Sequence, residues 1–105
     1  MQIIFSSKNT ELTDGLKTLI ERKLAKFKKF ASLGISNIFV NLDVDRKHHG
    51  GHEDATVELI SDMKQKKVAV VEKDKTFFKA FFAATKKLES ILSKEKDKRV
   101  GEKNL

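Results

Sequence analysis

Three consecutive stretches of alternating hydrophobicity lie between two segments of helical periodicity, and that order leaves few folds open. Residues 2–6 form a short apolar run, read as a first strand. Leu16, Leu19, Ile20, Leu24, Phe27 and Phe30 then recur at helical spacing and predict one amphipathic helix. Thr13 supplies its N-cap hydroxyl, Asp14 suits its first turn, and Gly34 is its stop. Ile38, Val40, Leu42 and Val44 alternate with Phe39, Asn41, Asp43 and Asp45, the period of a half-buried strand. Ala55, Val57 and Leu59 repeat the pattern, and Val68 to Val71 form the core of a fourth strand. Thr76 can cap a last helix whose Phe77, Phe81, Ala84, Leu88, Ile91 and Leu92 share a face.

The predicted order is βαβββα, an α+β fold. Short turns between alternating strands imply antiparallel hairpins, which leave both helices on one face of a four-stranded sheet. The other face is expected to be open and to carry Asn41, Asp43, Asp45, Thr56 and Glu58, with Phe39 its aromatic. With no proline and no Gly/Ser-rich stretch, residues 1–98 read as one domain. The polar segment from Lys96 onward is expected to fray, leaving 99–105 as a short tail.

Charge is sorted along this pattern. Residues 16–30 hold six basic residues against the single acid Glu21, and residues 86–99 hold six more. Residues 37–62 hold six acids and two bases. A net charge of +7 and a pI near 9.7 go with this segregation. Positive charge gathered on one side is the electrostatic footprint of a polyanion binder. Carboxylates on the open sheet face repel phosphate, so nucleic acid is expected at the helices. There Arg22, Lys26 and Lys29 form one stripe, and Lys87, Lys94 and Lys98 another at i, i+7 and i+11. Lysines act as point charges that position without reading sequence. Lys23 falls inside the apolar arc of the first helix; it either snorkels outward or stands at the groove between the helices. Phe82 lies off the core arc beside Phe78 and is expected to be an isolated exposed aromatic.

Other chemistries find little support. The absence of cysteine removes disulfides, thiolate metal sites and a Cys nucleophile. His48, His49 and His52 flank Gly50-Gly51, whose turn spoils the four-residue spacing that a helix would need, so a solvated loop is expected and no metal. No glycine-rich phosphate loop or nucleophile–base pair is evident, so no cofactor, small-molecule substrate or catalysis is expected. Acylphosphatase-like domains share this size and basicity, but their order is βαββαβ. No signal peptide or membrane span is visible, and the chain reads as cytoplasmic.

Five stretches together resemble the ribosome hibernation factor family, which includes the short hibernation-promoting factor and the ribosome-associated translation inhibitor. They are Lys8-Asn9-Thr10-Glu11-Leu12-Thr13-Asp14-Gly15-Leu16, Lys23-Leu24-Ala25-Lys26-Phe27, Ile38 to Val44, Thr76 to Phe81, and the helix bearing Lys87, Leu88, Leu92, Lys94, Lys96, Asp97 and Lys98. The resemblance implies a fold similar to a double-stranded RNA-binding domain. It also implies binding to small-subunit rRNA where messenger and transfer RNAs pass, with inhibition of translation in stationary phase or stress. An RNA-contact role carries to Lys23, Lys26, Lys87, Lys94, Lys96 and Lys98, joining Arg22 and Lys29 from the stripes. The chain departs from the family pattern at Thr76, Phe78, Phe82 and Ser90. With no second domain and a short tail, it is similar to the short, ribosome-dimerising form, and is expected to be monomeric off the ribosome. A general double-stranded RNA-binding module is the alternative.

Overall fold

The computed structural model describes residues 1–46, 53–64 and 66–103, with the backbone alone at 46, 53 and 99–103. The order is β1 (Gln2–Lys8), α1 (Asp14–Leu24), a 3-10 helix (Ala25–Leu33), β2 (Asn37–Arg46), β3 (Glu53–Asp62), β4 (Lys67–Asp74) and α2 (Phe77–Lys103). The strands form one sheet in the order β1-β2-β3-β4. β1 runs parallel to β2, and the other two pairings are antiparallel. This is the expected βαβββα fold. The α1 crossover is what makes the first pair parallel.

Both threonine caps form as their positions suggest. The Leu16 amide donates to Thr13 Oγ1 at 3.1 Å, and the Lys79 amide to Thr76 Oγ1 at 3.3 Å. Gly34 closes the first helical segment at φ 74°, a left-handed conformation that costs glycine little.

The segment from Leu16 to Phe30 is not one α-helix. It passes at Ala25 into 3-10 turns that a kink at Phe30 (φ −99°, ψ 17°) divides into two stretches. The reason lies in the side chains. Leu24, Phe27, Phe30 and Leu33 are three residues apart and all buried. A helix with three residues per turn eclipses such positions on one face, where an α-helix would rotate them away from the core. α2 also departs from expectation, because it continues through Lys103 rather than fraying at Lys96. Its 27 residues span roughly 40 Å and account for much of the 57 Å long axis.

The core lies between the helices and the inner sheet face. Ile20, Leu24, Phe27, Ile38, Val40, Val57, Leu59, Ala80, Ala84, Leu88 and Leu92 are all fully buried. The Phe27 and Phe30 rings meet at 5.8 Å. On the outer face, register aligns Ile4 with Phe39, Phe39 with Ile60, and Ile60 with Ala69. That face is therefore less uniformly acidic than expected. An apolar row crosses it, with Ile4 40% exposed, and Val71, 51% exposed, stands in the next row opposite Glu58. The carboxylates lie beside this row: Glu58 accepts from Asn41 at 2.9 Å, and Asp43 from Asn9 at 3.2 Å.

Candidate nucleic-acid interface

The helix layer carries its cations in two strips. Glu89, on α2, organises the first. Its Oε2 lies 2.9 Å from Lys26 Nζ and its Oε1 3.6 Å from Lys29 Nζ, joining α2 to the first helical segment. The hydrogen bond from Lys26 lowers the Glu89 pKa; burial opposes this, and the charges of Lys26 and Lys29 reinforce it. Further along α2, Lys96 Nζ donates to the Lys29 carbonyl at 3.2 Å. These contacts run between helices, so an i,i+4 inspection of either helix alone misses them.

Lys87, Lys94 and Lys98 belong to the second strip. Lys87 stands two residues before Glu89, about 200° around the helix, and its Nζ is 3.7 Å from Glu72 of β4. The two lysine stripes therefore occupy opposite flanks of α2, not one continuous surface. Among the eight residues singled out from sequence, Lys26, Lys29, Lys87 and Lys96 have partners within the protein. Arg22, Lys23, Lys94 and Lys98 are exposed and have no ion pair among the described residues.

Between α1 and α2 runs a groove of about 590 Å³, with Leu19, Ile20 and Phe81 among its apolar lining. Lys23 lines it from α1, Lys26 from the 3-10 helix, and Lys79 from α2. This places Lys23 at the groove between the helices. Phe78 and Phe82 form the outer wall, 59% and 61% exposed. Phe82 is thus not isolated, since it shares a wall with the aromatic one turn before it. Lys86 Nζ stands 4.9 Å from its ring centroid. Sequence reasoning assigned no role to Lys79 or Lys86, although their seven-residue spacing beside Phe78 and Phe82 was the available signal.

The match to known proteins runs through the same elements. A family model described as sigma 54 modulation protein / S30EA ribosomal protein matches residues 3–100. The chain belongs to this family. Two solved structures are similar to this family member in fold. One is a ribosomal subunit interface protein from Coxiella burnetii, with TM-score 0.77 and 21% identity over 92% of this chain and 99% of that one. The other is the N-terminal domain of Thermus thermophilus Protein Y, with TM-score 0.68 and 24% identity over 90% and 98%. No curated protein sequence matches the chain.

The histidine turn at 48–52 lies outside the described residues. Among the described residues, no group of three or more His, Asp or Glu could hold a metal ion. Nor is any helix among them long and apolar enough to cross a membrane.

Proposed function

We propose that this protein is a ribosome hibernation factor. It binds small-subunit rRNA in the messenger and transfer RNA path through its helix layer and inhibits translation in stationary phase or stress. The observation that carries the reading is the opposition of its two faces. Lysines concentrate on both flanks of α2 and along the first helical segment, while Asp43, Asp45, Asp54 and Glu58 stand on the outer sheet face, where Lys8, Lys67 and Lys73 sit on the edge strands and Lys73 pairs with Asp54. Such a molecule orients itself toward a polyanion before contact. Family membership supplies the ribosome as the polyanion. Binding, not turnover, is the mode of action: lysine contacts fill the path and exclude other RNAs from it.

Co-sedimentation with purified ribosomes, with duplex RNA as competitor, tests this reading. The protein is expected to travel with small subunits and to remain there when duplex RNA is added in excess. Displacement in proportion to added duplex would favour the general double-stranded RNA module.

Glu89 makes a further prediction. It neutralises part of the basic surface, so Glu89→Gln is expected to release Lys26 and Lys29 and tighten ribosome binding severalfold at low salt. The same substitution removes an interhelical ion pair worth about 0–1 kcal/mol. Because the folded-state pKa is depressed, that stability is present above the ordinary glutamate value and is lost as pH falls through the folded one. Thermal melts across pH should show a small wild-type advantage near neutrality that closes in acid. Weaker ribosome binding by Glu89→Gln would mean that the pair pre-positions the lysines instead of competing with phosphate.

A further inference from the structure

The groove between α1 and α2 combines features that simple phosphate binding does not require. Two phenyl rings, Phe78 and Phe82, stand exposed on successive turns of α2. Lysines come from both walls, and no carboxylate is part of the lining, although Glu89 pairs with Lys26 at its edge and a phosphate there would take over from it. We propose that it captures one unstacked nucleobase of single-stranded RNA against Phe78 and Phe82. The flanking phosphates rest on Lys23 and Lys26 on one side and on Lys79 and Lys86 on the other. This deepens the proposed function and rests on RNA meeting the helix layer.

Charge and hydrogen-bonding capacity both select this occupant. A second copy of the chain would bring like-charged rims together. An extended peptide needs backbone partners, but the helical walls already use theirs, and the lining Thr85 hydroxyl donates to the Phe82 carbonyl at 2.8 Å. A base presents a π-face that needs no donor or acceptor, while its edges remain toward water. Lys86, held 4.9 Å from the centroid of the Phe82 ring, already places a cation beside the stack. Duplex RNA keeps its bases stacked and cannot enter, so the groove distinguishes single-stranded RNA from double-stranded RNA.

The test titrates the full chain with a short oligouridine, whose bases are unstacked, and with an A·U duplex of equal length. Intermolecular NOEs are expected from the Phe78 and Phe82 ring protons to uracil H5 and H6 with oligouridine only. Phe78→Ser with Phe82→Ser should weaken oligouridine binding about tenfold and leave the salt slope unchanged, because no phosphate contact is lost. Phe82→Tyr should retain affinity. Should the double variant fold poorly, Phe82→Ser alone, with the NOE from Phe78, gives the same reading. If NOEs are absent and affinity is unchanged, while Lys23→Ala with Lys26→Ala still lowers affinity and slope, base capture is overturned and the helix-side reading stands. If neither oligouridine nor ribosomes bind, both fall. Groove resonances that shift only with protein concentration, or only with an acidic peptide, overturn the nucleobase in favour of that occupant.

Discussion

Lys23→Ala combined with Lys26→Ala is expected to weaken ribosome binding strongly and to flatten its dependence on salt. Each lost phosphate contact lowers the log-log slope by roughly 0.7–0.9, so the pair should lower it by roughly 1.4–1.8. Both side chains are exposed, so the fold should persist. Lys87→Ala with Lys94→Ala tests the opposite flank of α2 and should act in the same direction. A smaller effect there would assign most of the contact to the interhelical side, because Lys87 is also drawn toward Glu72. Asp43→Ala with Asp45→Ala on the sheet face should leave binding undiminished. If the aspartate pair proves the damaging one, the RNA face is the sheet. Filter binding or sedimentation over a salt series supplies every slope.

Phe27→Ala is expected to be the most damaging single substitution for stability. Phe27 is fully buried where the 3-10 helix meets the core. Removing a buried phenylalanine costs about 3–5 kcal/mol, against about 5–15 kcal/mol of total stability in a typical domain. A melting temperature lower by more than about 10 °C, or no cooperative transition, is the expected result. Phe82→Ser, which removes an equally large ring from an exposed site, should change the melting temperature little. Similar losses from both would show that Phe82 packs into the core.

This contrast marks how far sequence alone reaches. Local chemistry was legible because its causes are local. The caps at Thr13 and Thr76, the glycine stop at Gly34 and the alternation of β2 and β3 each depend on a few neighbouring residues. The 3-10 helix was missed although its signal was present. Leu24, Phe27, Phe30 and Leu33 repeat every three residues, a spacing that an α-helical reading absorbs until its phase drifts. The apolar row on the outer face was only partly visible. β1 and β4 supply Ile4 and Ala69 from short runs that are apolar on both faces, so the alternation that marks an outer side chain is missing. For the candidate site, periodicity identified the lysines that share a flank of one helix. It did not specify which flank turns toward the neighbouring helix. That rotation is set by packing against β3 and β4, and it separates Lys87 from Lys26 while placing Phe78 and Phe82 beside Lys23.

A protein that acts by occupying the small subunit without turnover must inhibit in a fixed ratio to ribosomes. Cell-free translation would be followed while the protein is titrated against a known concentration of ribosomes. Inhibition should rise linearly and saturate near one copy per ribosome, and the protein recovered with small subunits should reach the same ratio. Full inhibition far below one copy per ribosome would show a catalytic activity in place of occupancy.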